Sequence, residues 1–559
     1  MFSMENREQV ICPLCNDKVD RLVYRFHIDG ERIVIEKIKA AHPAWSVDDG
    51  LCSRCIDYYH LEIIREQRLL PAVGPYFPVK SADDFIILPT GLRMDADPRY
   101  TGKGVTICFI DSGFSFHPDL VSSKNRIKTI LDMTGTEDRI ILNPDVTGTG
   151  LESSWHGTMT TVVCAGDGIL SKGLYKGIAS DAELVLLKVQ DGEGRITTDY
   201  IVRALEWVLE NHEFKGIRIV NISLGADETG SHKNSRVDKL CELLIANGVT
   251  IVAAAGNDEF ADIHPPANSP NVIAVGGVDD GNELKNENEK AWHSSYGKTA
   301  DDLVKPELVA HAIWVAAPIL CNTAEHKEAK TLYHLLSLTS TSFKKELENN
   351  ISHTRLESSI LSETDISCQK EKIRSRIQSA KYISPDYMHV DGTSFSAPVV
   401  SAVIAQLLEA DPFLTPGQVR HILFNTAKRM TGVPPERQGF GIIQPRKAIL
   451  KVLKKECIAK TGESPHVNKQ KNTIEFFVYH HHAEQVSLVG SFNQWAEDVL
   501  LLTPGLEGIW KIDIPLLPEG RYRYKFLVNG NVWMEDVDNP LREPDGYNGF
   551  NSLLNIESN

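Results

Sequence analysis

The chain is short of cysteine, of basic residues and of long apolar runs, and each shortage removes a class of protein. Ten cysteines among 559 residues are too few for a disulfide-built scaffold. Six of them (Cys108, Cys164, Cys241, Cys321, Cys368 and Cys457) stand singly, several inside apolar runs where a thiol behaves as a small hydrophobe. Lys and Arg total 59 against 75 Asp and Glu, a formal net charge of −16. A surface of that sign repels phosphates, which argues against a general binder of nucleic acid or of anionic membrane. The longest nearly apolar stretch, 308–321, is too short to span a bilayer and contains His311 and Pro318. The opening MFSMENREQV lacks the basic, apolar and small-residue pattern of a secretory leader. Apolar residues at 42% and charged residues at 24% exclude wholesale disorder, collagen and coiled coil. These absences point to a soluble protein of a reducing cytoplasm.

What is present divides into blocks, and the length suits three to five domains. Residues 1–60 carry paired cysteines, and 61–90 form a linker with Pro71, Gly74, Pro75 and Pro78. From 91 to 452, strand-length apolar runs (VTICFID, ELVLLKV, IRIVNISL, VTIVAAAG, VIAVGGV) alternate with helical patterns such as TTDYIVRALEWVLENH. Continuous apolar strands spaced by helices predict an α/β domain, a parallel sheet covered on both faces. Right-handed crossovers then gather the strand ends, and the ligand crevice, on one edge. A Lys-, Glu-, Ser- and Thr-rich interruption spans about 322–385, and a basic linker covers 453–472. Residues 473–559 read as short alternating strands of a small β-sandwich. There is no internal repeat.

Three segments of the middle block bear chemistry. VTICFIDSG ends a buried strand in Asp111, SSWHGTMTTVVCAG sets His156 at the start of a helical run, and DGTSFSAPVV sets Ser394 at the start of a nearly all-apolar helix. A serine hydroxyl needs a base to take its proton. Histidine suits that task near neutral pH, and a carboxylate on its other nitrogen fixes the tautomer. Taken singly, an Asp after a strand or a Ser after Gly-Thr is an ordinary turn or cap residue. The order Asp, His, Ser along an alternating α/β pattern is far more specific.

With TGKGVTICFIDSG, HGT, AAAGN and GTSFSAP in that order, and KPELVA (305–310) and GFGIIQP (439–445) behind them, the block resembles the subtilases, the subtilisin-like serine proteases. The resemblance covers about 350 residues of sequence. It implies a subtilisin-like fold with Asp111 as orienter, His156 as general base and acid, and Ser394 as nucleophile. It further implies Asn257 as an oxyanion-hole donor beside the Ser394 N–H. Ser223, Leu224, Gly225 and Ala254, Ala255, Gly256 match the edges that hold an extended peptide by backbone pairing. A serine endopeptidase acting on protein or peptide is therefore expected, the alternative being a catalytically silent peptide-binding adaptor of the same fold.

Some residues depart from that pattern. Asp391 precedes Gly-Thr-Ser where a small neutral residue is usual. Too few residues separate His156 from ELVLLKV for the common calcium loop, so calcium is not expected. No recognisable propeptide occupies the N-terminal block. Asp258, Glu259 and Asp262 lie near the expected specificity pocket, where acidic groups favour a basic P1 residue unless they are merely solvated. The leucines of the 322–385 interruption fall partly at helical spacing, which suits a lid over the active site or a flexible loop.

The flanking blocks carry their own signals. Cys12 and Cys15, then Cys52 and Cys55, make two C-x-x-C knuckles, a four-thiolate pattern for structural zinc. A redox dithiol is the alternative, and His27, His42 and His60 are spare candidates. The spacing resembles zinc-ribbon modules. The segment VSLVGSFNQW…GIWKIDIPLLPEGRYRYKFLVNGNVW…NSLLNI resembles the glycogen-binding module of the AMP-activated kinase β-subunit, an immunoglobulin-like sandwich. The resemblance implies Trp495, Lys525, Trp533 and Asn551 as contacts to an α-glucan. The plainer alternative makes both tryptophans sandwich core and has the module bind protein or dock on the protease.

Overall fold

The computed structural model describes residues 10–14, 18–19, 28–51, 55, 59, 87–135, 139–140, 151–226, 230–283, 289–454, 464–480, 483–505 and 508–557. In the N-terminal block, Val10–Ile11 and Lys18–Val19 pair antiparallel, so Cys12 lies in the intervening turn. Helix α1 (Ile28–Ala41) packs Val34, Ile35 and Ile38 against Cys12, Trp45, Leu51, Cys55 and Tyr59.

The central domain is built on seven parallel strands. These are β1 (Thr106–Asp111), β2 (Ile127–Asp132), β3 (Glu183–Lys188), β4 (Ile217–Ile222), β5 (Thr250–Ala254), β6 (Ile273–Asp279) and β7 (Leu308–His311). They run β7-β6-β5-β4-β1-β3-β2 across the sheet. Each apolar run read from the sequence became a strand. Alternate residues of a strand face opposite ways, and both ways are dry here. Ile107 and Phe109 pack under helices α2 (Leu151–Ala165) and α8 (Thr393–Ala410), and Cys108 and Ile110 under α3 (Thr198–Lys215) and α4 (Arg236–Ala246). Helix α8 is long and apolar enough to cross a membrane by composition, exceeding the 308–321 stretch, but 83% of it is buried inside this protein. An all-round apolar helix belongs to a core.

The interruption is an ordered helical unit. Helices α5 (Ala324–Ser337), α6 (Ser340–Asn350) and α7 (Ile366–Ser379) close on their own core of Leu332, Leu335, Phe343, Leu347, Ile373 and Ile377. Glu328 accepts from Arg376 Nε at 2.9 Å, Tyr382 Oη at 2.9 Å and Arg355 N at 2.8 Å. The unit hangs from a neck in which β8 (Val315–Pro318) pairs antiparallel with β9 (Tyr387–Val390). Helices α9 (Pro416–Thr426) and α10 (Pro445–Leu453) complete the domain.

Two boundaries shift. Ile87 and Leu88, assigned to the linker, are buried against Leu174, Tyr175 and Tyr387, because their apolar surface finds a ready cluster there. At the other end, His466–Asn468 already pairs with β10 (Thr473–Tyr479), so the sandwich begins before 473. The C-terminal domain is two antiparallel sheets, one with β10 and β12 (Ile509–Pro515), the other with β11 (Val486–Gly490), β13 (Gly520–Val528), β14 (Val532–Met534) and β15 (Phe550–Ile556). Ile474, Phe476, Leu488, Trp510, Tyr524, Phe526 and Leu554 fill the space between them.

Candidate active site

Asp111 is the last residue of β1, the central strand at which the chain's strand order reverses, the position where α/β sheets open a crevice. His156 lies on the helix beside it, five residues inside α2 rather than at its start, because the helical run begins at Leu151. Gly157 makes the approach possible: a Cβ there would sit 2.3 Å from the Gly113 carbonyl oxygen and 3.0 Å from Asp111 Cβ. His156 Nδ1 consequently bonds Asp111 Oδ1 at 2.7 Å. The other Asp111 oxygen accepts from Thr160 Oγ1 at 3.1 Å, and Ser112 N donates to Oδ1 at 2.6 Å. Burial pulls the His156 pKa down, but the charge and hydrogen bond of Asp111 outweigh it and hold the pKa above the ordinary 6.5.

Ser394 is the second residue of α8, whose N-cap Gly392 has φ 128°, a conformation that favours glycine. There its backbone N–H has no intrahelical acceptor and sits at the positive end of the helix dipole. The ring of the following residue, Phe395, lies 5.9 Å from the His156 ring, which brings the start of α8 against the imidazole. The Ser394 hydroxyl itself donates to the Ser223 carbonyl at 3.2 Å and not to His156. Ser223 Oγ returns a bond to the Ser394 carbonyl at 2.9 Å, and the chain continues through Asn221 to Ser401. This polar thread pins the core helix to β4.

Asn257 is oriented from behind. Its Oδ1 accepts from Thr393 N at 2.8 Å and Thr393 Oγ1 at 2.9 Å, which leaves the amide Nδ2 as the donor. Gly256 (φ 112°) would bring a Cβ to 2.5 Å from Ser295 Oγ, and Ser295 Oγ donates to the Asp258 carbonyl at 2.6 Å. The loop that presents Asn257 is thus held on both sides.

A cleft of about 330 Å³ opens at this point, lined by Ser223, Leu224, Gly225, Ala254, Ala255, Gly256, Asn257 and Ser394 among others. All the peptide-edge positions expected from the sequence therefore meet at one cleft. Asp258 and Asp262 also line it, whereas Glu259 is paired with Arg437 at 2.7 Å. No residue of 322–385 is among the cleft's lining residues, so the lid expectation finds no support there. Asp391, the unexpected acid before Gly392, pairs with Lys381 of that unit at 3.2 Å. Thr160 and Thr393 were not singled out in the sequence. The available signal for Thr160 was its spacing of four from His156, which puts both on one helix face.

These blocks are shared with known proteins. Residues 102–441 match the subtilase family, more than half of the chain. The chain belongs to the subtilase family. Residues 464–539 match carbohydrate-binding module 48, described as the isoamylase N-terminal domain. The chain is 25% identical over 358 residues to serine protease AprX of Bacillus subtilis, covering 62% of this chain and 67% of that protein. It is 30% identical over 203 residues to subtilisin BL of Lederbergia lenta, covering 36% and 63%. Among solved structures, fervidolysin from Fervidobacterium pennivorans matches at 18% identity and TM-score 0.45, covering 78% of this chain and 55% of that one. The matched spans of subtilisin BL and several further relatives thus fall short of two thirds of their length.

In the sandwich, Trp495 and Trp533 face each other with ring centroids 6.3 Å apart, and Trp533 is 46% exposed. Neither belongs to the core, where Trp510 serves instead, so the core alternative falls. Lys525 is ion-paired with Asp545, and Asn551 is partly exposed on β15. At the N-terminal block, Cys12 Sγ and Cys55 Sγ lie 3.9 Å apart and buried. A tetrahedron of thiolates at about 2.3 Å from zinc has edges of roughly 3.8 Å, so this spacing fits the ion. Cys15 and Cys52 lie outside the described residues.

Proposed function

We propose that this subtilase is a serine endopeptidase whose cleft takes an extended peptide between the Ser223–Gly225 and Ala254–Gly256 edges. The observation that carries this reading is the 2.7 Å His156–Asp111 bond beside Ser394 and the oriented Asn257 amide. Ser394 Oγ turns from the Ser223 carbonyl to His156 Nε2, gives up its proton and attacks the scissile carbonyl carbon. The tetrahedral oxyanion receives the Asn257 Nδ2–H and the Ser394 N–H. Asp111 stabilises the imidazolium, which then protonates the leaving amine. Water, deprotonated by the same imidazole, releases the acyl group and restores the hydroxyl.

Asp258 and Asp262 on the cleft wall support a preference for a basic P1 side chain, since neither is ion-paired among the described residues while Glu259 has Arg437. Cys12, Cys15, Cys52 and Cys55 would hold a structural zinc, a closed site that cross-links the block and leaves no position for catalysis. The thiolate set supports work in a reducing compartment such as the cytoplasm. The paired tryptophans support binding of an α-glucan by the C-terminal module, their faces stacking on the apolar faces of glucose rings.

A peptide-library cleavage profile of the purified protein tests the central reading. Cleavage that disappears in Ser394→Ala, with label from a serine-directed phosphonate lost in the same variant, is the expected result. Equal cleavage by Ser394→Ala would overturn it.

A further inference from the structure

The two domains meet at the sandwich face that bears the candidate sugar contacts. On β13, Tyr522, Tyr524, Phe526 and Val528 pack on the sandwich interior, so Arg523, Lys525 and Leu527 face outward. Leu527 pairs with Trp533 in the register with β14, which places Trp533, and Glu535 two residues on, along the same outward side. Asn551 belongs there too, since Leu554 and Ile556 point into the core. Onto this side comes Arg429, a residue of the peptidase domain. Its guanidinium contacts the Glu535 carboxylate and donates to the Asn548 carbonyl at 2.7 Å, with Cζ 5.5 Å from the Phe550 ring. A Cβ on Gly549 would lie 2.8 Å from both Arg429 Nη1 and Asp545 Oδ2, and Asp545 is the partner of Lys525. Arg429 and Lys525 thus converge on one spot, next to the exposed tryptophan.

The open hydrogen-bonding capacity of that spot lies with the arginine. A guanidinium has five N–H donors, and the Arg429 side chain retains 23% exposure after its two contacts, while Glu535 Oε2 is shielded from solvent. A partly exposed donor fork suits the vicinal hydroxyls of a sugar, whose oxygens accept from it.

We propose that Arg429, held in place by Glu535, is a ligand-contacting residue of the carbohydrate site, so that a glucan is held jointly by the sandwich and the peptidase domain. This rests on the glucan reading of the C-terminal module given above. The site is then composite, and the isolated sandwich is an incomplete binder.

Calorimetric titration of the full chain with maltoheptaose and with β-cyclodextrin tests it. The wild type binds, Arg429→Gln weakens binding at least fivefold, and His421→Ala leaves it unchanged. His421 is the control because it bonds Asp538 across the same domain boundary, at 3.1 Å, without joining the Arg429 contacts. If Arg429→Gln fails to fold, Arg429→Lys, which keeps the charge and loses the planar fork, is read in its place. Wild-type affinity in the arginine variant overturns the proposal, as does equal weakening by His421→Ala, which would make the effect one of domain docking. A wild type that binds neither sugar sinks the glucan reading itself, a result distinct from a wild type that binds with indifferent variants.

Discussion

At the scale of single residues, the site is a set of groups whose roles follow from what stands behind them. Asp111 raises the His156 pKa above 6.5 against the pull of burial. The imidazole must be neutral to accept the Ser394 proton, so hydrolysis rises as pH climbs through that raised pKa. The acid limb of kcat/KM is expected above pH 6.5. Asp111→Asn should move that limb to lower pH and cut kcat by roughly 10⁴-fold, through loss of the counter-charge and of the tautomer. Asn257→Ala should lower kcat by about 10²–10³-fold with little change in KM, the cost seen for this donor in a subtilase relative. Thr393 acts one step back. Thr393→Val keeps the backbone bond but loses the hydroxyl bond to Asn257 and the one accepted from Gly256 N, and a loss of at least about fivefold in kcat is expected, the worth of one neutral hydrogen bond or more. Asp111, His156, Ser394 and Asn257 were legible because each sits in a local word with a fixed neighbour. Thr160, Thr393 and Ser295 were not, since a hydroxyl that orients another side chain leaves no pattern in its own stretch of sequence.

At the scale of elements, the sheet was readable almost strand for strand. A parallel strand buried on both faces must be apolar throughout, and Gly or a helix bounds it, so VTICFID and ELVLLKV could be little else. The 322–385 unit was harder, because its amphipathic helices expose charged faces that read as loop composition. Its order depends on Glu328, 3% exposed, where Arg376 and Tyr382 converge. Glu328→Ala should cost that unit about 3 kcal/mol by stranding the Arg376 charge and the Tyr382 hydroxyl. A lowered melting temperature, or earlier amide exchange over 324–379, checks it. Peptide hydrolysis below that transition should remain near wild type, because the unit supplies no wall of the cleft.

At the scale of the whole molecule, the sandwich is docked firmly. Arg542 is 4% exposed at the domain boundary and donates to the Val304 carbonyl at 3.1 Å. Its guanidinium lies 4.2 Å from the Phe440 ring and 4.7 Å from that of Phe550. Burial lowers its pKa to about 10, offset in part by Glu307 and Glu535, so it remains charged at neutral pH. Arg542→Ala should cost about 3–5 kcal/mol of docking, because buried carboxylates lose their counter-charge. An increased radius of gyration in solution scattering, with a separate early melting transition for the sandwich, is the expected readout. The sequence left docking on the protease open as one alternative, since the linker composition was visible and the part of a lone arginine among Asn, Pro and Leu was not. Only three-dimensional adjacency to Phe440 and Glu307 reveals its part.

Because Pro318 stands opposite Tyr387 in the β8–β9 ladder, the polypeptide leaves and re-enters the enzyme through a doorway one strand-pair wide. A short turn joining Pro318 to Tyr387 is expected to keep that ladder, which makes this position a natural socket for grafting foreign cargo onto the protease.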